Sequence, residues 1–266
     1  MGLLQGRRGL VIGIANQRSI AYGIARALVR EGAEIAVTYQ DERLRDRVEE
    51  IAAELGLWVL GACDLARDAD VAAVVARLGE RWDGLDFMVH AVAHAKRDEL
   101  TGRFVDTSRD GFALAMDISV YSLVALTRAL ELLLRAGRGA PSVLTLSYLG
   151  GERVVPNYNV MGVAKAALEA AVRYLAVDLG PAGVRVNALS PGPIKTLSAA
   201  GVRGMRTMLG AVEASAPLRR NVAIDDVGDV AVFLLSELGR AVTGEVIYVD
   251  AGYHVLGVLP PEGKEP

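Results

Sequence analysis

The sequence predicts an α/β fold: a single domain on one doubly wound parallel sheet of about seven strands flanked by helices. Three observations predict it. Seven short apolar runs recur along the chain, and they are apolar throughout instead of alternating with polar residues, the pattern of strands covered on both faces. A longer stretch with helical spacing separates most neighbouring runs, as a parallel sheet between two helical layers requires. The 266 residues are 52% hydrophobic and 23% charged, enough to bury a large core.

In chain order, strands are expected at 9–13, 34–39, 58–63, 86–91, 142–147, 184–189 and 245–249. Helices are expected at 20–30, 42–55, 70–81, 109–136, 158–179 and 225–236. Residues 197–209 hold Ala199, Ala200, Val202, Met205, Met208 and Leu209 among small residues and glycines. That composition suits either a small helical substrate-binding flap over an apolar cleft or an ordinary helix packed on the sheet. Arg203 and Arg206, three apart, are either solvated charges or a contact for an acidic partner. No Pro/Ser-rich linker or charge block divides the chain, so residues 1–257 form one domain. Residues 258–266, with three prolines, form an extended or mobile tail.

A net charge of −3 with dispersed Lys and Arg leaves no electrostatic footprint for nucleic acid. Cys63 is the only cysteine, so no internal disulfide or thiolate metal cluster forms within the chain. His90 and His94 fall at a strand end and in the loop after it, where packing is a better reading than ligation, and no metal site is expected. The N-terminal apolar segment is too short to span a bilayer and lacks a signal-cleavage pattern. A cytoplasmic protein with no membrane partner is expected.

The carboxyl ends of parallel strands are where ligands bind in such sheets. After the first strand, Gly13 permits a tight turn, and Ser19 either contacts a phosphate or caps the following helix, whose N-terminal amides favour an anion. Small residues replace most glycines of a GxGxxG loop, so this signal alone is weak. The second strand ends at Gln40 and Asp41, a neutral and an acidic residue that give a ribose 2′-phosphate little attraction. NAD (NADH) is therefore preferred over NADPH, with Arg43 and Arg45 read as solvated helical charges. Asp64, ahead of Leu65, can accept from the adenine amine or act as a helix cap. The loop from His90 through Val92 to Ala95 is built of small residues past which a flat cofactor can run.

Tyr158 and Lys165 lie seven residues apart. On one helix that places both side chains on one face, about 10 Å apart along the axis. A cation there favours the phenolate of a tyrosine that otherwise titrates near pH ~10. Alone, such a pair reads as a half-buried ring and a solvated amine. Beside a nucleotide edge it reads as a polarising hydroxyl and its charge.

Taken together, these residues resemble the short-chain dehydrogenase/reductase superfamily, and within it the enoyl-acyl-carrier-protein reductases of bacterial fatty-acid synthesis. The resemblance runs from Gly13 to about Gly252 and is most specific in the stretches 146–150 and 156–165. The commoner superfamily spacing requires a tyrosine at Met161, whereas six residues between Tyr158 and Lys165 is the enoyl reductase pattern. The stretch 183–197 looks like the family's strand and cofactor loop. The resemblance implies a Rossmann-type fold, a homotetramer, and NADH-dependent reduction of trans-2-enoyl thioesters on acyl carrier protein. It implies catalytic roles for Tyr148, Tyr158 and Lys165. It assigns Gly13, Ser19, Ile20, Gln40, Asp64, Leu65, Val92, Lys165, Ile194, Lys195, Thr196, Leu197 and Ser198 to the cofactor. Ala95, Tyr148, Tyr158, Met161 and Met205 fall to the substrate. Many relatives carry glycine where this chain has Ala93, a methyl that narrows the site toward flat aromatic inhibitors. A short-chain carbonyl (3-oxoacyl) reductase, and a catalytically silent nucleotide-binding protein, are the alternative readings.

Overall fold

The computed structural model describes residues 2–196 and 204–257, with the side chains of Met205 and Arg206 left out. Leu197, Ser198, Ala199, Ala200, Val202, Arg203 and the tail 258–266 lie outside the described residues.

Seven parallel strands form one sheet in the order β3-β2-β1-β4-β5-β6-β7. They are β1 (Arg8–Ile12), β2 (Glu34–Tyr39), β3 (Trp58–Ala62), β4 (Phe87–His90), β5 (Ser142–Leu146), β6 (Arg185–Pro191) and β7 (Val246–Val249). Eight α-helices are described: α1 (Ile20–Arg30), α2 (Arg45–Leu55), α3 (Asp68–Gly79), α4 (Arg109–Met116), α5 (Ser122–Arg135), α6 (Val160–Leu179), α7 (Met205–Ser215) and α8 (Ile224–Leu235). Side chains of α1, α2 and α8 pack on one face of the sheet, and those of α3, α5 and α6 on the other. Successive β1 residues divide between the two, with Leu10 and Ile12 on one side and Val11 on the other. Burial on both faces is why the strands read as unbroken apolar runs.

The chain leaves β1 toward one helical layer and β4 toward the other, although the two strands are neighbours, Ile12 pairing with His90. A crevice opens at such a switch point. Gly13 makes it possible: its φ is +114°, and a Cβ there would lie 2.1 Å from the Ala91 carbonyl oxygen.

Two expected helices are interrupted. The run 109–136 is broken by a π-turn at Asp117–Tyr121. The widened turn lets the Ser119 hydroxyl accept from His94 N–H at 3.0 Å and places Ser122 Oγ 2.8 Å from His90 Nε2. The run 109–135 is long and apolar enough to cross a bilayer, an 18-residue window within it having mean hydropathy 1.4. Here Leu123, Leu126, Leu130 and Leu134 of this run are fully buried against the sheet. The second interruption is at Tyr158, which precedes α6 instead of opening it. Pro156 disfavours helix at the residue before it, and Asn157 and Asn159 have φ of 62° and 39°, outside the helical region.

Helices α1 and α8 approach backbone to backbone. A Cβ on Gly228, within α8, would sit 2.7 Å from the Gly23 carbonyl oxygen and 2.9 Å from Ala27 Cβ. Intrinsic propensity favours alanine in a helix by about 1 kcal/mol, whereas overpacking costs about 1–3 kcal/mol. Gly228→Ala is therefore expected to lower the melting temperature by about 3 °C. A thermal melt that rises instead would show that the two helices separate without penalty.

Candidate active site

A cavity of ≈ 440 Å³ lies at the carboxyl edge of the sheet, over the crevice between β1 and β4. Its size is that of a small-molecule site. The β1–α1 turn forms one wall. There the Ser19 hydroxyl accepts from Ala15 N–H and Asn16 N–H, both at 3.1 Å, and makes no side-chain cap bond to α1. It braces the loop, and its own O–H has no acceptor among the described residues. Ile20 and Ala21 line the same wall. As the first residues of α1 their N–H groups have no intrahelical acceptor, and none is supplied from elsewhere among the described residues. Free amides, a hydroxyl proton and the positive end of a helix dipole form a donor set that fits the pyrophosphate of a dinucleotide.

Tyr158 reaches the cavity from the turn before α6. Its ring meets that of Tyr148 edge to face, with centroids 4.9 Å apart at 64°. A Cβ on Gly150 would lie 2.5 Å from the Tyr158 ring, so that glycine lets the turn after β5 press against the aromatic pair. Ring packing, not helical spacing, positions the hydroxyl. Burial raises its pKa well above the usual phenol value, with a smaller contribution from Tyr148. The expectation that Lys165 favours the phenolate is thus overturned: desolvation dominates, and Tyr158 is a neutral phenol. Its hydroxyl has no hydrogen-bond partner among the described residues. The Tyr148 hydroxyl, pushed up by burial to about 12, donates to the Met208 sulfur of α7 at 3.1 Å.

Lys165 is buried on α6, and its Nζ donates to the Leu146 carbonyl oxygen at the end of β5, at 2.6 Å. Burial lowers its pKa to about 8, while the nearby Glu169 carboxylate opposes the shift. Behind it, burial and the Lys165 charge hold His90 neutral, with a pKa of about 3. His90 Nε2 lies 2.8 Å from Ser122 Oγ and Nδ1 lies 3.0 Å from Thr145 Oγ1, and the two hydroxyls also reach the Ile118 and His90 carbonyl oxygens. His90 thus links the end of β4 to β5 and α5.

Of the residues singled out in the sequence, Gly13, Ser19, Ile20, Val92, Ala95, Tyr148, Tyr158, Met161, Lys165, Ile194 and Thr196 line this cavity. Ala93 lines it too. Gln40, Asp64 and Leu65 lie beyond the cavity wall, after β2 and β3 on the same sheet edge. Asp64 does not cap α3, whose N-cap is Arg67; its Oδ1 accepts from Ala66 N–H, closing a local turn. Arg43, 88% exposed, pairs with Asp41, and Arg45 with Glu42 and Glu49, so both are solvated charges held in surface ion pairs. Lys195 is exposed beside the lining residues Ile194 and Thr196, and Leu197 and Ser198 lie outside the described residues. The backbone of Met205 opens α7, its side chain being outside the description. The cavity also gathers Leu146, Ser147 and Arg97, which sequence reasoning did not assign to the site, and Met208 from the expected flap. Ser147 was detectable as the neighbour of Tyr148. Among the described residues, no three His, Cys, Asp or Glu side chains gather as for a metal.

Comparison with known proteins identifies the family. A family profile described as enoyl-(acyl carrier protein) reductase matches residues 13–254. The chain is 55% identical to enoyl-(acyl-carrier-protein) reductase (NADH) 1 of Rhizobium meliloti over 257 residues, 97% of this chain and 93% of that one. It resembles the solved enoyl-(acyl-carrier-protein) reductase of Anaplasma phagocytophilum in complex with NAD, with TM-score 0.93, 47% identity and 98% of each chain covered. It also resembles the Bacillus cereus reductase solved with NADP+ and indole naphthyridinone, with TM-score 0.94, 52% identity and coverage of 97% and 100%. With the fold, the cavity at the strand ends and these likenesses in agreement over nearly its whole length, the chain belongs to the enoyl-(acyl carrier protein) reductase family.

Proposed function

We propose that the protein reduces the carbon–carbon double bond of trans-2-enoyl thioesters carried on acyl carrier protein, using NADH, in fatty-acid elongation. The observation that carries this reading is the unpartnered, neutral Tyr158 hydroxyl facing a cavity shared with Lys165. Met161, buried in the wall, stands where carbonyl reductases of the superfamily place their tyrosine.

When bound, NADH supplies a hydride, which the substrate takes at its β-carbon. Tyr158 donates a hydrogen bond to the thioester oxygen as negative charge grows there, a role that a phenol held neutral by burial fills better than a phenolate. Lys165 spends one N–H on Leu146 and turns its remaining donors and its charge to the nicotinamide ribose. Tyr148 borders the substrate beside Ala95, Met161 and Met205. Ser19 and Ile20 hold the phosphates past Gly13. Gln40 meets the adenosine ribose, and Asp64 and Leu65 the adenine. Val92 and the segment Ile194, Lys195 and Thr196 flank the nicotinamide. Asp41 supports NADH over NADPH, since it already occupies the Arg43 guanidinium that a 2′-phosphate would need.

The setting proposed is the cytoplasm, as a homotetramer, with no nucleic-acid or membrane partner. Exposed apolar side chains support the assembly: Leu132 on α5 is 80% exposed, and Tyr174 and Val177 on α6 are 76% and 74% exposed. Light scattering is expected to give four times the 28.2 kDa of the chain. A mass near the monomer contradicts the assembly.

Crotonyl and acetoacetyl thioesters, each supplied with NADH and with NADPH, test the reaction. Loss of the conjugated enoyl absorbance with NADH is expected, and turnover of acetoacetyl thioester alone would instead identify a carbonyl reductase. Tyr158→Phe is expected to lower kcat by about 10²- to 10³-fold, as loss of an oxyanion donor does, with little change in NADH affinity. Lys165→Ala should weaken NADH binding as well. Wild-type turnover in the phenylalanine variant removes Tyr158 from its role.

A further inference from the structure

The end of β5 is fastened to α6 at two consecutive residues. Lys165 Nζ donates to the Leu146 carbonyl oxygen at 2.6 Å, and one helical turn later the Glu169 carboxylate accepts the Ser147 hydroxyl. Residues four apart on a helix share a face, so ammonium and carboxylate both meet the strand end, within electrostatic range of each other though not as a direct ion pair. Both are buried, Lys165 at 5% and Glu169 at 6% exposed. Gly151 makes the room, since a Cβ there would lie 2.9 Å from Glu169 Oε1 and 3.1 Å from the Lys165 carbonyl carbon. A carboxylate taken this far from water is costly unless an opposite charge compensates it.

We propose that Glu169 is a positioning residue for this site, its carboxylate keeping the Lys165 ammonium charged and its bond to Ser147 holding the strand end that carries Tyr148. The inference rests on the reading of Lys165 as the cation that binds the cofactor ribose. Burial works against charge on Lys165 and on Glu169 alike. Around Glu169, Lys165 and Arg173 on α6 favour its charged form, and Glu152 in the turn after β5 opposes it. Tyr248 on β7, a phenol kept neutral by burial and by its bond to Glu152, lies near enough for the Glu169 charge to oppose its ionisation further.

Glutamine at position 169 can still accept the Ser147 hydroxyl, so Glu169→Gln removes the charge and keeps the contact. The sign follows directly: Lys165 is charged below about 8 with Glu169 present, and without that carboxylate the ammonium is lost at a lower pH. NADH binding is measured by fluorescence titration at slightly acidic and alkaline pH, with kcat/KM across the same range and a thermal melt of each variant. Glu169→Gln should bind NADH like wild type in acid and about fivefold more weakly as the pH nears 8, where the wild-type ammonium still holds its charge and the variant's is lost, the two converging at higher pH. The basic limb of kcat/KM should move to lower pH. A wild-type pH profile in a normally melting Glu169→Gln protein overturns the proposal. If that variant melts low, Glu169→Asp decides, because retained alkaline binding supports the role of charge and an acid-shifted profile excludes it. Lys165→Ala run alongside separates the premise: wild-type NADH binding there removes Lys165 as the ribose cation, whatever Glu169 does.

Discussion

The structure depends on the crevice between β1 and β4, where neighbouring parallel strands send their chains to opposite faces of the sheet. Everything with chemistry is arranged around that gap. It requires the β1–α1 turn and the β4 loop to pass almost in contact, which Gly13 allows against the Ala91 carbonyl. It also turns the first amides of α1 toward the cavity, where a helix N-terminus favours an anion. The small side chains from Ala91 to Ala95 keep the other rim low enough for a flat ligand.

Desolvation governs the chemistry inside the crevice. In water a lysine seven residues from a tyrosine has little effect on it. In the cavity, burial moves both groups toward their neutral forms, raising the phenol of Tyr158 and lowering the ammonium of Lys165. The result is a neutral phenol and, lining the same cavity, a cation that needs support, to which the structure supplies a strand carbonyl and a buried carboxylate. The His90 network belongs to the same economy of buried polar groups: its two nitrogens find hydroxyls, and the π-turn that brings Ser122 within reach also brings Ser119 to the β4 loop.

The strands were legible because burial on both faces leaves an unbroken apolar run, a signal contained in five or six adjacent residues. The edge residues Gly13, Ser19 and Val92 were legible for a related reason, since they follow strand ends and the carboxyl edge of a parallel sheet is a known place. Tyr158 lines the cavity, but not from the helical face that its spacing to Lys165 predicts. Its helical face does not exist, because Pro156 and the two left-handed asparagines end the turn before α6 begins. Glu169 was visible four residues beyond Lys165, yet nothing local distinguishes it from a solvated helical charge.

The sequence by itself determined the fold class, the succession of strands and helices, and which residues follow the strand ends. Those properties depend on local pattern: periodicity of apolar residues, turn chemistry and residue identity at short separation. Only the tertiary structure decided which groups are neutral, which are clipped to the end of β5 and where the helices break. Those depend on segments far apart in the chain meeting out of water, as Ser147 meets Glu169 and His90 meets Ser122. A pKa or a buried hydrogen bond is a property of that meeting, not of either residue alone.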